Sequence, residues 1–129
     1  MWFYGLVGNN QGTDPWMDES WATYAEVRVA GAPPFDVPIP EAVEDHVGES
    51  MLWYSQPDTR RLYGQGVYVQ GGDMLREAME SVDGDDADAL LLNYINANAH
   101  SIATPSDVAA AFAAAPSVIG ILREYGAVD

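Results

Sequence analysis

"DPWMDESWATYAEVRVAG", residues Asp14 to Gly31, is the stretch whose reading decides the fold. Asp14-Pro15 has the form of a helix start, an N-cap acid followed by proline at the first helical position. Gly31 supplies a stop, so the pattern predicts a helix over 15–29. Glu19, Thr23 and Glu26 then fall in one stripe, because seven residues make almost two turns. Trp16, Met17, Trp21 and Tyr24 crowd the flanking faces. Two readings of the acids stand at this point. An acid near a helix N-terminus is favoured by the dipole, although Glu19 falls past the first turn of this helix and Asp18 would serve better. Alternatively, a carboxylate held among aromatics needs a counter-charge or a metal to offset its desolvation.

Working outward, the same helical language continues. Residues 1–8 look like the tail of an apolar helix that ends near Gly8-Asn9. Pro33, Pro34, Pro38 and Pro40 make residues 31–41 an extended connector. Glu41 to Tyr54 forms a weaker helix, broken by Gln56-Pro57-Asp58. From Tyr63 the periodicity sharpens: Tyr63, Val67, Gly71, Met74, Leu75, Ala78 and Val82 share one helical face. Gly71-Gly72 inside that helix costs roughly 1 kcal/mol per residue relative to alanine, and close packing of another backbone is the reason to tolerate it. Asp83-Gly84-Asp85 turns the chain, and Ala87, Leu91, Tyr94 and Ile95 mark the next helix. Thr104-Pro105-Ser106-Asp107 resembles a capping box and opens a helix with Val108, Ala111, Phe112 and Ala115 inward. Pro116 opens the last helix, with Ile119, Leu122 and Tyr125 inward and Gly126 past its end. The expectation is one all-α domain over 1–129.

Composition limits the partners. The 129 residues carry 20 acids against 5 arginines (28, 60, 61, 76 and 123), for a net charge of −15. Nucleic acid and anionic membrane both call for a basic patch, so this balance argues against either. No apolar run is long enough to span a bilayer. The apolar start lacks a basic n-region and runs into Asn9-Asn10-Gln11, which is not a signal-peptide pattern. With no cysteine, disulfides and thiolate metal sites are excluded. His46 and His100 sit in separate segments without ligand spacing, which suits surface or capping roles. Asp83, Asp85, Asp86 and Asp88 lack the twelve-residue pattern and terminal glutamate of a calcium loop, and read as a charged helix N-terminus.

One resemblance covers much of the chain. "WFYGLVGNNQ…DPWMDESWATYAE" resembles the stretch after the zinc motif of aminopeptidase-N-like gluzincin metallopeptidases. There HExxH is followed by a run such as "QWF" and then by "WLNEG" or "WLDEG" with "A-T-Y-x-E". That family places eighteen residues between its second histidine and the glutamate that is its third zinc ligand, and Met1 to Asp18 make up that number. The resemblance therefore implies Glu19 as the zinc ligand and makes Asp18 and Glu26 candidates for orienting a ligating histidine, beside the alternative of salt-bridge or solvent roles for these two. It also implies an HExxH motif ending one position before Met1; both histidines and the general-base glutamate are absent from this sequence. Ser20 stands where glycine is common.

A second block, "LYGQGVYVQGGDMLREAM", is similar to the family's "YxKGAxxLxxLR". There the tyrosine hydroxyl donates to the oxyanion of the tetrahedral intermediate, which implies that role for Tyr63. Gln65 replaces the usual lysine. The implied fold is the helical lower subdomain of a thermolysin-like catalytic domain. The implied function is the C-terminal helical portion of a zinc-dependent peptide hydrolase, inert alone and without tightly held zinc, acting on peptide substrates in an intact parent. The other reading is a non-catalytic helical interaction module on the same scaffold. Under either, residues 1–8 are expected to be partly exposed and to drive self-association.

Overall fold

The computed structural model describes residues 6–31 and 35–129. They are 57% helix against 5% strand, which bears out the all-α expectation at the level of class. In chain order the elements are β1 (Val7–Asn9), α1 (Trp16–Ala30), α2 (Met51–Tyr54), a π-helix π1 (Gly64–Val69), α3 (Gln70–Glu80), α4 (Gly84–Asn98), β2 (Ser101–Ala103), α5 (Pro105–Ala111) and α6 (Pro116–Glu124). No helix among the described residues is long and apolar enough to cross a membrane.

The stretch from Asp14 folds nearly as its residues dictate. The start is shifted by one residue, with Pro15 and not Asp14 at the N-cap and no side-chain cap bond. The Met17 N–H bonds the Asp14 carbonyl at 3.2 Å, and Gly31 ends α1 in the left-handed conformation at φ 62°. Trp16, Met17, Asp18, Ser20, Trp21 and Thr23 are buried. The first half of α1 is therefore the core of the protein, while Glu26 and residues 28–30 face solvent. Trp21 stacks on Tyr94 of α4 at 5.8 Å between ring centroids and lies 6.1 Å from Phe112 just beyond α5. Tyr94 and Phe112 close the triangle at 6.0 Å. Three helices are thus joined through one aromatic trio. Of the inward residues expected for α5 and α6, Val108, Ala111, Phe112, Ala115, Ile119 and Leu122 are buried, and Tyr125 is half-buried against the core. The capping box is present: the Thr104 N–H donates to Asp107 Oδ2 at 2.8 Å.

Three expectations need correction. Residues 7–9 are not helical but a strand, parallel to β2, with Val7 beside Ser101 and Asn9 beside Ala103. Strands of three residues are too short to show alternation, so neither was visible in the sequence. Val7 is buried, and residues 1–5 lie outside the described residues, as does most of the segment expected to self-associate.

Glu41–Tyr54 is not one helix either. Asp45 adopts φ 59°, which interrupts it, and only Met51–Tyr54 is helical, capped by Ser50, whose Oγ accepts from the Trp53 N–H. The buried Gln70 side chain satisfies the loop instead: it donates to the Val43 carbonyl at 2.9 Å and accepts from the Asp45 N–H at 2.8 Å.

The helix expected from Tyr63 onward opens as a π turn, not an α turn, and the Gln70 N–H reaches back five residues to the Gln65 carbonyl. The physical cause lies in two neighbours. Tyr54 fills the notch at Gly66, where a Cβ would lie 2.4 Å from its hydroxyl, and Ser20 Oγ donates to the Val67 carbonyl at 2.9 Å. Once past π1, α3 keeps the expected face, with Gly71, Met74, Leu75 and Ala78 buried.

Burial has a consequence at alkaline pH. Burial pushes the hydroxyl pKa values of Tyr54 and Tyr94 far above the ordinary value of 10. Tyr125 is pushed up to about 12 by burial and by its hydrogen bond to Glu77 at 2.9 Å. Folding thus favours the protonated phenols. Their contribution is fully present below pH 10 and is lost as pH rises through the folded-state values. The expected result is a denaturation midpoint that falls between pH 10 and 12, with Tyr125→Phe flattening the slope. Tyrosinate absorbance should lag behind that of the unfolded chain. Ionisation of all seven tyrosines near pH 10 with the fold intact would overturn it.

Candidate functional site

Helix α1 begins at Trp16, which places both Asp18 and Glu19 in its first turn. The helix dipole therefore reaches Glu19 too, contrary to the sequence-based placement past that turn. The two acids nevertheless occupy different surroundings. Asp18 is 3% exposed and accepts a hydrogen bond from Gln11 Nε2 at 2.6 Å. The Tyr94 phenol is held protonated chiefly by burial, with the charges of Asp107 and Asp18 adding to the effect. Glu19 is half-buried, and its carbonyl accepts from Thr23 Oγ1 at 2.8 Å. Glu26 is exposed one further turn along, and it lines a cavity together with Thr23, Gly64 and Gln65.

Tyr63 is the residue directly before π1 and is half-buried. An aromatic ladder holds its ring. His46 stacks on Trp53 at 4.8 Å, Trp53 meets Tyr54 edge-on at 4.8 Å, and Tyr54 meets Tyr63 edge-on at 5.3 Å. Tyr68 closes on the other side of Tyr63 at 5.7 Å and 83°. The ladder is anchored where the Tyr54 hydroxyl donates to the His46 carbonyl at 2.8 Å.

The fold brings two separated segments into contact. Ser20 of α1 bonds the Val67 carbonyl in π1, and a Cβ at Gly71 or Gly72 would meet the Ser20 hydroxyl at 1.9 Å or Thr23 Cγ2 at 2.7 Å. The close neighbours of the glycine pair are thus side chains of α1, not the backbone anticipated from sequence. Glu26 shares the cavity with the residues that follow Tyr63, whereas Asp18 is buried and does not line it.

Three groups that bear on the site were not singled out from the sequence. Gln11 carries no distinguishing pattern, yet it is the partner of Asp18. Tyr54 and Tyr68 frame Tyr63, and their role has a readable cause only after the fact. Five residues apart, Tyr63 and Tyr68 would diverge on an α-helix, and the wider π turn brings them together.

As to metal chemistry, no three His, Cys, Asp or Glu side chains come together among the described residues in a group that could hold an ion. Glu19 offers one carboxylate donor, and a zinc site built on it takes its remaining ligands from elsewhere. His46 and His100 are both exposed, His46 against Trp53 and Glu49, His100 at φ 63° where α4 turns into β2. No family model matches the chain, and no curated protein and no solved structure matches it either.

Proposed function

We propose that this chain forms the helical part of a zinc peptidase centre of the aminopeptidase-N-like kind, on a thermolysin-like scaffold. Glu19 contributes the third zinc ligand and Tyr63 the oxyanion donor. The observation that carries the reading is the contact between its two resembling segments. "DPWMDESWATYAE" and "LYGQGVYVQGGDMLREAM" lie far apart in sequence, and they are joined by the buried Ser20–Val67 bond and the glycine notch at 71–72. A glutamate ligand and an oxyanion donor serving one substrate need that proximity.

Zinc, when bound, supplies a Lewis acid for the scissile carbonyl and a water of lowered pKa. This chain supplies the rest of what can be assigned to it. The Glu19 carboxylate is a harder donor than imidazole and leaves a coordination position open when combined with two histidines. The Tyr63 hydroxyl donates one hydrogen bond to developing negative charge, from a ring fixed on both sides by Tyr54 and Tyr68. Gln11 donates to the Asp18 carboxylate within this chain, and on this reading that carboxylate orients a metal ligand.

The test is expression of the reading frame together with the residues encoded upstream, where the resemblance places HExxH. Zinc content and peptide hydrolysis are then measured. Glu19→Gln is expected to lose both. Tyr63→Phe is expected to keep zinc and lose about a hundredfold in kcat. A frame without the histidine pair, or a Glu19→Gln protein with full zinc and activity, overturns the reading. So does tight stoichiometric zinc on the 129-residue chain alone, since Glu19 by itself is too few ligands.

A further inference from the structure

Between α1 and π1 lies a cavity of about 370 Å³. Thr23 and Glu26 line it from α1, Gln65 and Tyr68 from π1, and Phe35 and Val37 from the connector. Phe35, Val37 and Tyr68 are each more than a third exposed, so their apolar surface is open to an occupant. Glu26 is the one charged side chain among the described residues that line the cavity. It has no ion-pair partner among the described residues. None of the five arginines lines the cavity: Arg28 is engaged by Asp88, and Arg76 sits between Asp73 and Glu80.

Aromatic walls with one unopposed carboxylate and one side-chain amide favour a particular occupant. A guanidinium is planar and weakly hydrated, stacks on aromatic faces, and carries enough donors to serve a carboxylate and an amide oxygen together. An ammonium is compact and strongly hydrated, and gains less from such walls. A neutral apolar side chain would leave the Glu26 carboxylate unpaired at the rim. We infer that this cavity binds the arginine side chain of a peptide, with Glu26 as the counter-charge. The Tyr68 ring that lines it meets Tyr63 edge-on, so an arginine seated there lies one ring away from the proposed oxyanion donor. As a preference for arginine near the scissile bond this rests on the peptidase reading; the binding itself does not.

A net charge of −15 attracts any cation to any face, so the test separates local from general attraction. The 129-residue chain is titrated with N-acetyl-arginine amide and with N-acetyl-citrulline amide, which keeps the shape and removes the charge. Backbone resonances are followed by NMR. Saturating shifts are expected at Thr23, Gly64 and Gln65, with arginine bound at least about fivefold tighter than citrulline. Glu26→Gln should bring the two ligands to equal affinity. Glu44→Gln, which alters an exposed acid away from the cavity, should preserve the preference. An arginine preference that survives Glu26→Gln, or shifts spread over the acidic surface without centring on the cavity, overturns the inference. The peptidase reading fails separately, through zinc content and Glu19→Gln, and that failure leaves this titration unchanged.

Discussion

Trp21→Ala is expected to cost about 3–5 kcal/mol of stability, the range for emptying a large aromatic site that cannot collapse. The side chain has no exposed surface and is in contact with rings from two other parts of the chain, Tyr94 at 5.8 Å and Phe112 at 6.1 Å. Those rings belong to α4 and to the residue after α5, so one substitution loosens three helices at once. Against a typical net stability of about 5–15 kcal/mol, the loss removes a large share of the total. Trp21→Phe keeps a ring between its two neighbours and should cost distinctly less. Urea denaturation followed by far-ultraviolet circular dichroism measures both. A loss under about 1 kcal/mol for Trp21→Ala would mean that the trio is not the centre of the core.

Gly71→Ala is expected to destabilise by about 2–3 kcal/mol, although alanine is the better helix former. The propensity gain is about 1 kcal/mol. Against it stands a Cβ placed 1.9 Å from Ser20 Oγ and 2.6 Å from Ser20 Cβ, in a buried contact between α1 and α3. Overpacking of this kind costs about 1–3 kcal/mol. If Ser20 rotates away to relieve it, the Val67 carbonyl loses its buried donor at a further cost of about 1–3 kcal/mol. The clash therefore outweighs the propensity. The specific check is coupling: Ser20→Gly removes both offending atoms but also the donor to Val67, so Gly71→Ala should cost distinctly less in the Ser20→Gly background than in the native one. Double-mutant denaturation that shows simple additivity would place the strain elsewhere.

Much of this architecture was legible because it follows from local rules. The start of α1 is encoded in Asp14-Pro15, its stop in Gly31, and the start of α5 in Thr104 with Asp107. The inward face of α3 repeats at helical spacing and was read residue by residue. What escaped depends on partners distant in sequence. The pairing of Val7–Asn9 with Ser101–Ala103 links opposite ends of the chain through strands too short to carry a period. The 41–48 loop holds its shape through Gln70, a polar residue that looks like surface until its amide is seen bonding Val43 and Asp45.

The candidate site divides in the same way. Glu19, Thr23 and Glu26 share a stripe by helix geometry alone, and Thr23 and Glu26 do line one cavity. The resemblance pairs Asp18 with Glu26, yet one residue along a helix from Glu19 is about 100° around it, and Asp18 is buried and bonded to Gln11 instead of lining the cavity. The ladder from His46 to Tyr68 was out of reach, since it needs the Tyr54–Gly66 notch and the π turn together.

That π turn also works as a phase shifter. A helix running unbroken from Tyr63 would lock the azimuth of Tyr63 to that of Gly71, because every α-helical residue advances by the same angle. The wider turn over Gly64–Val69 breaks this gearing. The glycine pair is dictated by the fit to Ser20 and Thr23, while Tyr63 takes its bearing from Tyr54 and Tyr68. Packing and aim are thereby set by separate residues on one continuous rod. Substitutions that tighten the α1–α3 seam have room to accumulate without swinging Tyr63 out from between Tyr54 and Tyr68.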